Sequence, residues 1–436
     1  MKITNIDIVW LRNFFSGLIN RFTTIFAQVL LIPLFINLWG KEYYGEWLLI
    51  STLPAYLSAS DLGLNVTATT AICALTANDK RSEALALYKS ANKALLFLAS
   101  IGLLLFSISC IYLNWSKIMG TKINSEQQIE ISLLILISAT FVMFLVGLAV
   151  GIYRSEGRFD KSQNFITLLQ LFDAIIILVN VILGGNIFTV ALSSFILKIL
   201  FLIVIIIDLQ KKYSWYKFGF NNPISEIYYL LPTSFFYMVA LIGQGLVIQG
   251  TSFLIGKSLG PATLVTFNTI RTFINSIKSI INAFYSAYLP EFTKIIAQNK
   301  AEQARHLFIK MFIFTLTITT VFIATYYLLG NWIISIWTSN KVVVDNSIYV
   351  VMLVSIFFST LSNCAYTVLN ATNENRVMSI YYTIFALCAM WAIYVTSKNG
   401  LIYPVLFLCI VDFLMLVVTF NEAWKVVNGK IINGLG

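Results

Sequence analysis

Residues 261–290 read PATLVTFNTIRTFINSIKSIINAFYSAYLP, a run of about thirty between two prolines that reads as one helix long enough to cross a bilayer. At ~100° per residue, Asn275, Lys278 and Asn282 fall within ~40° of Arg271 on the helical wheel, and Asn268 and Ser286 within ~60°. The other sides carry Leu264, Val265, Ile270, Phe273, Ile274, Ile277, Ile280 and Ile281. The helix therefore has one polar stripe with two cations near its middle. A lysine or arginine at that depth costs roughly 2.5–3.5 kcal/mol, so it faces water or a partner. Two readings follow. Each cation is neutralised by an acid on a neighbouring helix, or the stripe lines a water-filled cavity that accepts an anion.

Working outward, the whole chain belongs in a membrane. Of 436 residues, 58% are hydrophobic and only 11% charged, with a mean hydropathy of +0.83. Soluble domains carry about 25% charged residues. The net charge of +10 comes from short loops between apolar runs, with no basic, aromatic-laced segment long enough to bind nucleic acid. The five cysteines stand singly inside apolar runs with no C-x-x-C, and read as small buried hydrophobes. The single histidine, His306, has no partners for a metal or Ser-His-Asp centre, so no catalytic or metal-ligating residue is assigned. No cleavable signal peptide is read, because the first apolar run is too long and no A-x-A site follows it. The first helix is expected to stay in the membrane.

Apolar runs of ~20 residues or more predict twelve spanning helices, over 14–38, 44–75, 91–114, 129–153, 163–183, 187–209, 228–256, 262–290, 307–329, 346–370, 377–396 and 401–420. With the N-terminus inside, cytoplasmic segments hold 19 lysines and arginines and outer segments 6. By the positive-inside rule both termini are cytoplasmic. The expected fold is an all-α integral membrane protein of two six-helix bundles around a central cavity. The first bundle is 1–209, a cytoplasmic connection runs over 210–227, and the second bundle is 228–436. Six being even, the two halves share an orientation, as in parallel repeats, and a substrate site is expected where they meet near the midplane.

Polar stripes on helices 1, 2, 7, 8 and 10 supply the candidate cavity residues: Arg21 and Gln28, Asp61, Gln244, Arg271 with Asn275 and Lys278, and Asn363. Such stripes serve either as helix–helix hydrogen-bond seams or as the walls of a shared cavity. Asp173 lies 11 residues before the Gly184-Gly185-Asn186 turn and Lys198 lies 12 after it. Both sit ~17 Å from the turn on adjacent antiparallel helices. They form a structural ion pair, or a proton- or ion-coupling site, since midplane carboxylates serve as relays. Asp412, in the last helix, is a weaker candidate of the coupling kind.

The opening RFTTIFAQVLLIPLFINLWGKEYYGEWLLI (21–50), the SASDLGL at 58–64 and the twelve-helix layout resemble the Wzx-type polysaccharide flippases. These translocate O-antigen or capsule repeat units and belong to the multidrug/oligosaccharidyl-lipid/polysaccharide (MOP) superfamily. The resemblance implies movement of undecaprenyl-pyrophosphate-linked oligosaccharide across the bacterial inner membrane by alternating access, with no cofactor and with H+ or Na+ as the coupling ion. It implies a transporter, not an enzyme, serving surface polysaccharide and lipopolysaccharide O-antigen biosynthesis. Membrane lipid surrounds it, and a polysaccharide polymerase and a chain-length regulator are candidate partners. Related lipid II flippases place cavity arginines on helices one, two and eight. Arg21 and Arg271 match the first and last of these, while helix two offers Asp61, which argues against lipid II. By resemblance, the pyrophosphate grip falls to Arg21, Arg271 and Lys278. The alternatives are a multidrug or organic-ion exporter of the same superfamily, which would prefer acidic cavity residues, and a membrane-embedded polysaccharide polymerase or ligase. The latter carries a large outer loop rich in Arg and His, whereas the longest outer loops here, 115–128 and 330–345, contain no histidine.

Overall fold

In the computed structural model, residues 29–58, 63–286, 300–371 and 375–428 are described, with isolated positions around them. Nearly all of these are helical, and among them there is no strand. With no water at its centre, a bilayer admits spans that satisfy their own backbone groups, and these runs of Leu, Ile, Val and Phe do so as helices. In chain order they are α1 (Val29–Leu38), α2 (Gly40–Leu57), α3 (Leu64–Ala77), α4 (Arg81–Tyr112), the short α5 (Trp115–Met119), α6 (Glu126–Ser155), α7 (Phe159–Ile182), α8 (Ile187–Lys212), α9 (Leu231–Gly245), α10 (Thr251–Leu259), α11 (Pro261–Ser286), α12 (Ala301–Trp337), α13 (Asn346–Ala371), α14 (Asn375–Thr396) and α15 (Ile402–Val427). Grouped as passages through an apolar slab, they make twelve.

Eight of the twelve are single helices long and apolar enough to span. The other four are spans 1, 2, 7 and 8. The second, expected as one helix over 44–75, is two helices, α2 ending at Leu57 and α3 beginning at Leu64. Gly63 enters α3 at φ +67°, a left-handed conformation that costs a side-chain-bearing residue but not glycine. The seventh is also composite. α9 passes through a π-turn at Leu246–Gly250 into α10. The interruptions among the described residues fall on spans 2 and 7, whereas α11, the eighth span, is one continuous helix.

Two further correspondences separate by six. Spans 3 and 9 are the longest helices, α4 with 32 residues and α12 with 37; at 1.5 Å per residue α12 runs about 55 Å. Spans 4 and 10 are the central ones, α6 and α13, each with 56% of its apolar window buried.

Two compact units divide the chain, 1–245 and 246–436. The 210–227 connection and α9 pack with the first unit: the Tyr216 hydroxyl meets that of Tyr88 at 2.7 Å. Within the first unit α6 is the hub, touching α2, α3, α4, α7 and α8. Gly147 and Gly151 of α6 let α3 approach closely; a Cβ at Gly151 would stand 2.5 Å from the Thr69 hydroxyl. Such small-residue seams bring helix backbones together in membranes. At the other end of α6, Glu46 of α2 is buried and grips the preceding loop. Its carboxylate accepts from the Lys122, Ile123 and Asn124 amides at 2.5, 2.8 and 3.3 Å and from the Asn124 side chain at 2.7 Å. In the second unit the core gathers Ile277, Ile281, Phe308, Met311, Cys364 and Val368.

Asp173 and Lys198 do lie on neighbouring antiparallel helices, α7 and α8, but the expected ion pair does not form. Asp173 accepts a 2.6 Å hydrogen bond from Ser194, and among the described residues no Asp173–Lys198 contact falls within ion-pairing distance. The helices begin and end unequally about the turn, at Ile182 and Ile187. The position level with Asp173 on α8 therefore falls between Ser194 and Lys198, and the shorter side chain takes the contact.

Candidate functional site

In an α-helix each carbonyl receives the amide four residues on; a π-turn shifts that register and leaves carbonyl capacity for other donors. The one in the seventh span is used in this way. The Ile248 carbonyl accepts from the Ser252 hydroxyl at 2.9 Å and from Nη1 of Arg271 at 3.1 Å. Arg271, mid-helix in α11, reaches it because Leu259, Gly260 and Pro261 turn α10 directly into α11. Nη2 of the same guanidinium donates to Ser252 Oγ at 3.1 Å and to Asn268 Oδ1 at 2.6 Å. The Phe267 ring lies beneath it, 5.0 Å from centroid to Cζ. All of these partners are uncharged. Among the described residues no carboxylate lies within ion-pairing distance of Arg271. Arg271 is half-buried and Asn275, one turn further along α11, is exposed.

Lys278 has a different environment. Nζ donates to Ser359 of α13 at 2.6 Å. Ser359 lies within hydrogen-bonding reach of Asp412 on α15, and Asp412 acts electrostatically on Lys278. Ser355, one turn before Ser359, donates to Asp412 Oδ2 at 2.5 Å. Three helices thus share a Lys–Ser–Asp–Ser network in which Asp412, beyond ion-pairing distance, is joined to Lys278 through Ser359. The two cations of the 261–290 stripe divide between the two readings: Lys278 is linked to Asp412 through Ser359, and among the described residues Arg271 is held by neutral groups.

Asn363 is half-buried on α13, one turn beyond Ser359 on the same face. Gln244 is exposed on the last turn of α9, in the first unit. Arg21, Gln28 and Asp61 lie outside the described residues. The polar stripes of the sequence point neither to the Ile248 carbonyl nor to Ser252, and they leave Asp412 unconnected to Lys278. One signal was present: Gly245 and Gly250 bracket the π-turn, and a Cβ at either would stand 2.9 Å from Tyr56 or Met390.

No protein-family model matches the sequence, and no curated protein matches it. Solved structures do. An inward-facing multidrug resistance MATE family transporter of the MOP superfamily superposes with TM-score 0.67 at 13% identity, over 92% of this chain and 98% of that one. A MATE structure in the bent conformation gives 0.66 at 13%, over 97% and 95%. A MOP superfamily transporter from Pyrococcus furiosus, described as having a binding pocket of reversed polarity that suggests a different function, gives 0.56 at 12%, over 97% and 96%. The fold is that of the MATE transporters. At these identities the likeness is one of fold. With its many apolar spans, the chain is a multi-pass membrane protein.

Proposed function

We propose that this chain is a flippase of MATE fold that carries an amphiphilic anion, undecaprenyl-pyrophosphate-linked oligosaccharide, from the inner to the outer leaflet of the bacterial inner membrane by alternating access. The observation that carries the reading is Arg271. Its fork is oriented by Ile248, Ser252 and Asn268, yet among the described residues no carboxylate lies within ion-pairing distance of it. Pyrophosphate offers oxygens that a planar guanidinium can grip two at a time. Contacts of this kind contribute roughly 1.5–3 kcal/mol each, enough to hold the headgroup and weak enough to release it. Interrupted spans mark the substrate-handling helices of repeat-built transporters, and the seventh span, interrupted at Leu246–Gly250, supplies the carbonyl that orients Arg271. Asn275 and Asn363 join the grip in this reading.

In the topology that the cation bias supports, both termini are cytoplasmic. The coupling ion is H+ or Na+, with Asp412 as its candidate acceptor. A polysaccharide polymerase and chain-length regulator are the partners expected downstream.

A multidrug exporter is the second reading, and Asp412 favours it: a carboxylate among the spans of the second unit could meet an organic cation. One strain background separates the two. In a strain lacking the native gene, the flippase reading expects this chain to restore surface polysaccharide and to leave resistance to cationic dyes unchanged. Dye resistance without polysaccharide would establish the exporter instead.

A further inference from the structure

At the end of the α7/α8 hairpin opposite the Gly184-Gly185 turn, every nearby acid is already engaged. Arg158 holds Asp160 through bonds of 3.1 and 3.0 Å. Asp208 accepts from the Tyr153 hydroxyl and, at 2.5 Å, from Lys212. Glu156 accepts from the Trp215 indole at 2.8 Å and lies 3.8 Å from Arg81. Lys161, on the first turn of α7, has no carboxylate within ion-pairing distance among the described residues. Counted from the ends of the two helices at the turn, Lys161 lies level with Asp208 and one turn from Lys212, and the Lys212 and Arg158 charges both bear on it. Like charges repel, and Asp208 alone does not balance both lysines.

What lies along the helices names the kind of anion. Lys161 heads a stripe at helical spacing that continues through exposed Leu168, Phe172 and Ile175. On α8, Leu200, Ile203 and Ile207 are likewise exposed, and the Phe172 and Phe201 rings sit 6.0 Å apart across the pair. Trp215 stands at the basic end, where indoles settle at headgroup depth. A phosphate there would have apolar chains running from it down the outer face of both helices.

We propose that this end of the α7/α8 hairpin binds an anionic phospholipid, its phosphate between Lys161 and Lys212 and its acyl chains along α7 and α8. The membrane leaflet richest in anionic lipid is the cytoplasmic one, which this end faces in the topology proposed above.

The test uses the purified full-length protein in neutral detergent, titrated with phosphatidylglycerol and followed by native mass spectrometry. Each basic residue near an anionic headgroup contributes about fivefold in affinity, so Lys161→Gln with Lys212→Gln is expected to weaken phosphatidylglycerol binding about 30-fold. Lys161→Gln alone leaves Asp208 with both of its partners, so folding is not at stake, and about fivefold loss is expected. Phosphatidylcholine and inorganic phosphate are expected to compete poorly. Wild-type phosphatidylglycerol binding by Lys161→Gln would overturn the proposal. Displacement of the lipid by inorganic phosphate at comparable concentration would overturn it too, because the site would then be one for a small anion.

Discussion

Arg271 donates a 3.1 Å hydrogen bond to the carbonyl of Ile248, so the π-turn of the seventh span and the cation of the eighth are one assembly. The turn liberates an acceptor, and the guanidinium uses it to fix its own plane. Arg271→Ala is expected to leave insertion intact and to abolish surface glycan export. Arg271→Lys should retain part of it, because an ammonium supplies the charge without the fork. Ser252→Ala removes one of the partners that aim the fork and should lower export severalfold without abolishing it. Surface polysaccharide at matched protein level is the readout; wild-type export from Arg271→Ala would remove the anion grip.

Lys278 and Asp412 should behave as a unit. Lys278→Met leaves a carboxylate among apolar spans without its cation, and Asp412→Asn leaves the reverse. Each is expected to destabilise by about 3 kcal/mol, the scale for breaking a buried pair from one side. Lys278→Met combined with Asp412→Asn should recover most of that loss, as read by thermal unfolding in detergent. A double variant no more stable than the worse single would show that the two charges are independent.

For Asp173 the partner is Ser194. Asp173→Asn keeps an acceptor for the Ser194 hydroxyl and should be well tolerated, and Lys198→Met should be close to silent. Ser194→Ala should cost about 1 kcal/mol or somewhat more, as the loss of a hydrogen bond to a charged group does. Rescue of one charge change by the other would restore the ion pair that the structure lacks.

Glu46 carries the loop before α6. Glu46→Ala strips an acceptor from three backbone amides and an asparagine, and a loss of several kcal/mol is expected. Glu46→Gln, which keeps one acceptor oxygen, should lose less. Hydrogen exchange at Lys122, Ile123 and Asn124 should accelerate in parallel; unchanged protection there would contradict the assignment.

The topology is open to direct mapping. Reporter fusions after residues 120, 185, 258, 340 and 398 should report outside, and those after 85, 158, 215, 298 and 430 inside. An inversion confined to the second half would rule out two halves in parallel orientation.

The architecture was readable from hydropathy because a bilayer enforces a coarse rule, about twenty apolar residues per passage, and spans 3 to 6 and 9 to 12 obey it. Spans 2 and 7 were read as continuous because nothing in residue type alone distinguishes an interrupted helix from an intact one. Gly63, Gly245 and Gly250 stand at the breaks, but glycines occur elsewhere in intact spans as well. At the site, the wheel placed Arg271, Asn275 and Lys278 on one side of α11 correctly, since helical periodicity is a local property. It could not tell which cation had a counter-charge, because Asp412 meets Lys278 only when α11, α13 and α15 pack together. The Asp173–Lys198 expectation rested on counting residues from a turn, and a shift of two positions along α8 handed the contact to Ser194.

Both pieces of the second span answer to the same neighbour. α2 is tied to the start of α6 through Glu46 and the 122–124 loop, and α3 is seated against Gly147 and Gly151 further along it. A break in a helix invites the idea of a joint, with one arm swinging about the other. Here neither arm can swing without tearing off a common spine. α2 and α3 are therefore registered to one helix rather than to each other, so whatever displaces α6 displaces both pieces of the second span together.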